Sequence, residues 1–234
     1  INFTQPIGDL ADIIYTENRI ERIDAHSFQQ AYDLVSHIDN LPYDTPDRTM
    51  HGFRQMEWLT NQLKRSTAKW KVMANQVVFA SYVYKQAILG IPFPFHNAAG
   101  WDINPLDRKM VLDTVNRYNL QNLVVLSGDI HVSMAFDLPG GAIPYDPATG
   151  EGSIGVEFVC DNTVRGGLYG GQQSYMYTNN QHLKYINPNS LGYCVLDLTP
   201  TSACCDYWET DTSGKLSSSL KLLGTWCTKI NENH

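Results

Sequence analysis

The stretch that decides the fold is LVVLSGDIH, residues 123–131. Residues 123–126 form a continuous apolar run, which predicts a strand buried on both faces, as in layered α/β proteins. The run leads into Ser127-Gly128, after which Asp129 and His131 stand two positions apart. In extended backbone, residues two apart point to the same side, so a carboxylate and an imidazole would converge at the carboxyl end of the strand. Layered α/β proteins bind their ligands at that edge.

A carboxylate beside an imidazole suits iron, manganese or zinc, but two ligands are too few for a closed metal site. The alternative is an exposed Asp and His in a turn, which Gly128 favours. Asp102, which follows Gly100 and Trp101, is by itself typical of a helix cap or a solvated acid.

The remaining pattern predicts one α/β unit around this strand. Further strands are expected at residues 8–15, 70–80, 154–160, 192–198 and 203–209, and helices at residues 53–65 and 106–118. Phe53 and Met110 are expected on the buried faces of those helices. Residues 81–102 are expected to form a loop, residues 24–47 an irregular surface excursion, and residues 161–189 a long loop.

The composition limits the class of protein. The 234 residues are enough for one large or two small domains, and a charged share of 18% argues against a disordered or coiled-coil chain. A net charge of -7 argues against a general nucleic-acid-binding surface and suits a protein that gathers cations. No stretch has the uncharged apolar length of a transmembrane segment. The nucleophile elbow of serine hydrolases and the glycine-rich loops that bind nucleotides are also missing from the sequence.

The five cysteines leave two readings open. Cys204 or Cys205 could pair with Cys227, or all five could be buried thiols. A thiol redox protein rests only on the adjacent pair 204–205, which is a poor active pair because bridging neighbours strains the peptide between them.

Four segments, in order along the chain, resemble the C-terminal half of PhoD-type alkaline phosphatases, which are metallophosphoesterases often labelled phosphodiesterase or phospholipase D. The segments are residues 48–78, the Gly100-Trp101-Asp102 motif with Pro105 and Arg108, residues 123–131, and residues 156–200. The sequence departs from the family pattern where Ile103-Asn104 replace Gly-Tyr, and where Glu17-Asn18 precede Arg19 in place of Asp-Thr.

The resemblance implies an α/β fold, with two stacked sheets flanked by helices, in which residues 1–234 form the later half of a metallophosphatase-like domain. It implies that Asp129 and His131 bind iron and calcium, with Asp102 as a further ligand or an acid that supports one. The implied activity is phosphoester hydrolysis through a metal-bound hydroxide. Arg19 and His182, and also Arg165, are the implied phosphate contacts, and an exported protein (secreted, periplasmic or in the cell envelope) is expected.

The family's upstream ligand motifs do not occur in this sequence, and the chain begins at Ile1 without an initiator Met. The chain is therefore expected to be a processed product or a piece of a longer protein, and to act with an N-terminal part that supplies the other ligands. The two competing hypotheses are a metal-dependent phosphoester hydrolase and a phosphatase-like binding or structural module that turns nothing over.

Overall fold

A seven-stranded mixed sheet forms the centre of the molecule, in the order β1-β2-β3-β6-β8-β7-β9. The computed structural model describes residues 2–22, 49–88, 91–97, 100–160, 171–210 and 219–234. The strands of this sheet are β1 (Phe3–Ile7), β2 (Ala11–Tyr15), β3 (Trp70–Ala74), β6 (Leu123–Ser127), β7 (Ser133–Pro139), β8 (Ser153–Val159) and β9 (Leu183–Asn187). Strands β2, β3, β6 and β8 run parallel to one another, and the others pair antiparallel.

Helices and a hairpin lie around this sheet. The helices are α1 (Gly52–Arg65), α2 (Pro105–Arg117) and α3 (Gln173–Asn179), and the hairpin is β4 (Val83–Ile88) with β5 (Ile91–His96). A second sheet, of three antiparallel strands, consists of β10 (Gly192–Leu198), β11 (Ser202–Thr210) and β12 (Leu220–Lys229). None of the helices in the described ranges is both long and apolar enough to cross a membrane.

Alternate residues of the central strands separate two apolar cores. Met73 and Val125 belong to the core that includes the helices, whereas Val72, Val124 and Phe158 pack against the three-stranded sheet. This alternation follows from the period of two in a strand, which sends successive side chains to opposite faces. The predicted α/β arrangement of two stacked sheets with helices is therefore confirmed.

Two polar bonds join the sheets across the second core. The Trp70 indole N–H donates to the Thr199 carbonyl at 2.7 Å, and the Tyr207 hydroxyl donates to the Met134 carbonyl at 2.5 Å. Both aromatic side chains are fully buried. Because a buried donor without a partner is costly, these bonds fix how the small sheet sits on the large one.

Several predicted boundaries were wrong. The strand expected at residues 8–15 begins only at Ala11, because residues 8–10 form the turn of the β1–β2 hairpin and Gly8 has φ of 56° there. The strand expected at residues 70–80 ends at Ala74, although Val77, Val78 and Phe79 are buried. Burial of an irregular segment gives the same apolar pattern as a buried strand, so the pattern overstated its length.

The loop predicted at residues 81–102 was also wrong, since most of it forms the β4–β5 hairpin and a short 3-10 helix, Trp101–Ile103. Pro92 and Pro94 argued against a strand because proline lacks the N–H of a sheet ladder. They are tolerated in β5 because the hairpin is a two-stranded sheet, in which each strand has an edge that makes no ladder bonds.

Phe53 and Met110 were predicted to be buried, but they are 68% and 45% exposed. At 100° per residue, each lies roughly 90° from the centre of its helix's buried stripe. The stripes themselves run through residues such as Met56, Leu59 and Val111.

The long loop predicted at residues 161–189 contains α3 and β9 in its described part, and β7 and β12 were not predicted at all. Polar residues and tyrosine dominate residues 171–189, so their apolar periodicity is weak. The irregular excursion predicted at residues 24–47 lies outside the described residues.

The carboxylate of Glu157, a residue of β8, connects the central sheet to the buried segment 77–80. Its two oxygens accept from the backbone N–H groups of Phe79 and Ala80 at 2.8 and 2.7 Å, and the Ser127 hydroxyl also donates to it. Burial raises the pKa of Glu157 to about 7, although all three donors favour the ionised form. Three donors thus converge on one buried side chain at the end of β6.

A disulfide joins Cys204 of β11 to Cys227 of β12, which stand directly opposite each other in the sheet. The sequence left this pairing open beside buried thiols, and the structure selects Cys227 as the partner of Cys204 rather than of Cys205. The bond closes a loop with a sequence separation of 23. Chain entropy of the unfolded state then predicts a contribution of about 3 kcal/mol to stability.

We expect the double substitution Cys204→Ser/Cys227→Ser to lower the free energy of unfolding by about 3 kcal/mol, because the open loop regains its entropy in the unfolded state. Urea unfolding of both proteins without reductant measures this difference. Wild-type protein unfolded with dithiothreitol is the control and should match the variant, and equal stability of the non-reduced pair would contradict the prediction.

We expect Glu157→Gln to lower the free energy of unfolding by about 1–3 kcal/mol at pH 5, because the amide replaces an acceptor with a donor facing a buried N–H. The folded-state pKa is raised from 4.5 to about 7, so the stability contributed by the native carboxyl is full below pH 4.5 and falls as the pH rises to about 7. Because Gln does not titrate, the difference in free energy of unfolding between the wild-type protein and Glu157→Gln should be smaller at pH 8 than at pH 5.

Urea unfolding at pH 5 and pH 8 with fixed ionic strength tests this prediction. The exposed Glu151→Gln is a matched control, because it makes the same chemical change on the surface. If the loss of free energy of unfolding caused by Glu157→Gln is larger at pH 8 than at pH 5, the raised pKa of Glu157 is refuted.

Candidate functional site

Four parallel strands end at one edge of the central sheet, and polar residues follow three of them. β2 is followed by residues 16–19, β3 by Asn75-Gln76, β6 by Gly128-Asp129 and β8 by Cys160. A cavity of about 440 Å³ opens at this edge. It is lined by Arg19, Ala74, Asn75, Gln76, Leu126, Ser127, Gly128 and Asp129.

Asp129 and His131 lie at this edge, but the backbone there is not extended. Both residues have left-handed backbone, with φ of 71° and 60°. The argument that two extended residues point to one side was therefore wrong, although the placement at the strand end is as predicted. Left-handed backbone is uncommon for residues with a side chain, and Asp and His adopt it more often than most. Such conformations cluster at functional sites.

Arg19 and Asp129 are brought together across the edge. The Arg19 guanidinium donates to the Asp129 carboxylate, although the two residues are far apart in sequence. Their side chains are 52% and 36% exposed, so each has atoms free to meet a ligand. Since exposed ion pairs contribute little to stability, the importance of this pair is its position on the cavity.

Asn75 connects the segments that carry Arg19 and Asp129. Its amide nitrogen donates to the Ser127 hydroxyl at 3.1 Å, and its oxygen accepts from the amide of Asn18 at 2.9 Å and from the Trp101 indole at 3.2 Å. The Gln76 side chain adds a bond by accepting from the Asn18 backbone N–H at 2.8 Å. Sequence reasoning missed Asn75 and Gln76, and the only signal for them was their position directly after a buried strand.

Two buried acceptors near Asn75 have no hydrogen-bond partner among the described residues. They are the side-chain oxygen of Asn18 and Nε2 of His51. Burial lowers the pKa of His51 to about 4, so its ring is neutral, with Nδ1 donating to the Glu17 carbonyl and Nε2 left as an acceptor. Unpaired buried acceptors cost free energy.

Asp102 is buried within a different set of contacts. The Arg108 guanidinium donates to one of its oxygens, and the other accepts from the backbone N–H groups of Tyr82 and Asn97 at 3.4 and 3.2 Å and faces His96 Nδ1 at 3.7 Å. Burial alone would raise the pKa of Asp102, but Arg108 and then His96 hold it at about 2. Asp102 therefore anchors the start of α2 to the β4–β5 hairpin.

His182 lies away from Arg19. Its Nε2–H donates to the Ser81 carbonyl at 2.7 Å, and its ring lies against Phe136. Burial lowers the pKa of His182, so the neutral ring is favoured. His182 and Arg108 line a second cavity of about 340 Å³, which shares no lining residue with the cavity of Arg19.

Of the residues predicted to form the site, the structure brings Arg19 and Asp129 into contact, and His131 follows Asp129 by two residues. Asp102 and His182 lie in other surroundings, and Arg165 is outside the described residues. In the part of the chain that the structure describes, no group of three or more His, Cys, Asp or Glu could hold a metal ion. The predicted ligand roles of Asp129, His131 and Asp102 therefore stay predictions.

One curated protein similar to this chain is alkaline phosphatase D of Bacillus subtilis (strain 168), which is 32% identical over 165 residues. The match covers 69% of this chain and 27% of that protein. A solved structure described as "Structure of PhoD" superimposes with a TM-score of 0.75 and 22% identity, covering 99% of this chain and 42% of the other. This likeness shows the fold, and the chain spans less than half of either relative.

The sequence profile of a family described as PhoD-like phosphatase matches residues 1–207. That range holds the strands whose ends form the cavity, together with Arg19, Asp129 and His131. The chain therefore belongs to the PhoD-like phosphatase family.

Proposed function

We propose that this protein takes part in the metal-dependent hydrolysis of phosphoesters at the edge where β2, β3 and β6 end. The observation that carries the proposal is the joint placement of the Arg19 guanidinium and the Asp129 carboxylate on one cavity at this edge. Membership of the PhoD-like phosphatase family and likeness to alkaline phosphatase D support the same reaction class.

The residues at this edge fit part of a metal site. Asp129 and His131 provide a carboxylate and an imidazole, which are ligands for iron, and the carboxylate also suits calcium. The unpaired acceptors of Asn18 and His51 indicate that this edge carries more lone pairs than the described donors can satisfy. We assign Asp129 and His131 as ligands, with Asp102 as an acid that fixes the scaffold through Arg108.

A bound metal would supply a Lewis acid that lowers the pKa of a water molecule and offsets charge on the phosphate oxygens. The residues of this chain would orient the substrate around it. When the Arg19 guanidinium gives up its bond to Asp129, it can donate to two oxygens of one phosphate group simultaneously. Asn75 holds Ser127 and Asn18, so the segments on either side of the cavity keep a fixed separation.

The remaining ligands would come from a part of the protein that the relatives carry outside the matched region. The match covers 27% of alkaline phosphatase D, so residues 1–234 would form part of a larger catalytic domain, and the resemblance of the motifs favours its later portion. The proposed substrates are phosphoesters in general, since the cavity at the strand ends is open enough for both monoesters and diesters.

Export from the cytoplasm belongs to the same proposal. The Cys204–Cys227 disulfide supports it, because structural disulfides persist in oxidising compartments and are rare in the cytosol.

We expect Asp129→Asn and His131→Ala each to lower turnover of p-nitrophenyl phosphate or bis-p-nitrophenyl phosphate by at least about 100-fold, with loss of bound metal. The reason is that each change removes a ligand whose charge or lone pair the metal needs. The measurement is metal content by mass spectrometry together with turnover, in the longest natural form of the protein.

Asp113→Asn is the matched control for Asp129→Asn, since it makes the same chemical change on the exposed face of α2, where Asp113 pairs with Lys109. Near-full activity and metal content in either ligand variant would reject its assignment. The competing function, a binding module without turnover, is favoured by the lack of a three-ligand group among the described residues. Absence of metal and turnover from the wild-type protein would overturn the hydrolase hypothesis.

A further inference from the structure

The cavity of about 340 Å³ that Arg108 and His182 line lies on the helical side of the central sheet. Its walls are mostly apolar and come from α2, from the segment before β4 and from the end of β7. The described residues that line it are Phe79, Ala80, Ser81, Arg108, Leu112, Leu138, Pro139 and His182. Small-molecule sites are typically apolar clefts of about 300–1,000 Å³ with a few polar groups, and this cavity has that form.

Arg108 brings hydrogen-bond donors to this cavity. One N–H of its guanidinium donates to the Asp102 carboxylate, and its remaining side-chain N–H groups have no partner among the described residues. The side chain is only 15% exposed, so these donors have little contact with water. Because a poorly hydrated donor without an acceptor costs free energy, an oxygen atom of a ligand would bind here favourably.

His182 brings an acceptor to the same cavity. Its Nε2–H donates to the Ser81 carbonyl at 2.7 Å, which leaves Nδ1 of the neutral ring as an acceptor. Nδ1 makes no hydrogen bond within the part of the chain that the structure describes. The cavity thus combines donors and an acceptor with apolar walls.

The charges at the cavity offset one another. Arg108 is the one arginine or lysine among the described residues that line it, and the Asp102 carboxylate, which is 1% exposed, contacts its guanidinium. Glu157 binds the backbone of the cavity wall from behind and adds no positive charge. A carboxylate or phosphate would therefore meet no uncompensated guanidinium, and a cation would face Arg108. Since burying an unpaired charge is costly, an uncharged head group is favoured.

We propose that this cavity is a binding site for a small uncharged amide with an apolar body. The amide oxygen accepts from the Arg108 guanidinium, and the amide N–H donates to Nδ1 of His182. The apolar body lies against Leu112 and Leu138. The inference does not depend on the proposed hydrolase activity, because this cavity shares no described lining residue with the cavity of Arg19.

The test titrates the folded protein with benzamide, an uncharged amide on an apolar ring, by calorimetry and saturation-transfer NMR. A ligand of this size is expected to bind with a Kd of about 1 mM. Benzoate and benzamidine have nearly the same shape and carry opposite charges. Each should bind at least about 10-fold more weakly than benzamide, because its charge would be buried without a free counter-charge.

Two substitutions on α2 test the location of the site. Leu112→Trp should fill the cavity and abolish benzamide binding. Met110→Trp is the matched control, because Met110 is 45% exposed on the same helix and does not line the cavity. That variant should keep the Kd of the wild-type protein.

Acetophenone tests the head group, because it replaces the amide nitrogen of benzamide by a methyl group. It should bind the wild-type protein about 10-fold more weakly than benzamide, since it has no N–H for Nδ1 of His182. In His182→Phe, which keeps an aromatic ring beside Phe136, the two ligands should bind equally well.

The proposed site is overturned if benzamide shows no saturable binding to the wild-type protein, if binding survives Leu112→Trp, or if Met110→Trp abolishes it. Tighter binding of benzoate than of benzamide would assign the cavity to anions and overturn the uncharged head group. A preference for benzamide over acetophenone that persists in His182→Phe would overturn the bond to His182.

Discussion

The parallel pairing of β2, β3, β6 and β8 is the constraint on which the rest of the structure depends. Parallel strands must all end on the same side of a sheet, so their following residues meet even when they are far apart in sequence. The contact between Arg19 and Asp129 is a direct result of that geometry. The Asn75 network also depends on it, because the amide spans the ends of β3 and β6. The open edge collects polar groups, while the bodies of these strands are mostly apolar, with Glu157 of β8 a buried exception.

Polar side chains inside the apolar layers then hold that edge in place. Glu157 fixes the segment 77–80 from one side of β8, while the Trp70 and Tyr207 bonds fix the small sheet from the other. Each of these groups is buried and paired, so its loss would leave a partner unsatisfied. The candidate site is thus supported from both faces of the sheet, although its own cavity is open.

The sequence predicts those parts of the molecule whose pattern is local. Residues 123–126, the helix of residues 53–65 and the strand of residues 192–198 have clear periodicity, and each was found within one or two residues of its predicted bounds. The hairpin containing Pro92 and Pro94 could not be recognised, because it depends on pairing without a third strand. The same holds for Glu157, whose two backbone donors, Phe79 and Ala80, lie 77 or more residues away. For the site, the sequence predicted that Asp129 follows the end of a strand. Its contact with Arg19 could not be predicted, because that contact depends on the order of the strands in the sheet.

Glu157 also has a consequence for folding. From Val156 to Val159, residues of β8 alternate between the core between the sheets and the helical core, so a shift of one position would exchange the two sets. Such a misfolded pairing would carry the Glu157 carboxylate away from its three donors and into the apolar layer that holds Phe158. An isolated carboxylate there would be strongly disfavoured. One acidic side chain therefore disfavours a one-residue shift in the register of β8.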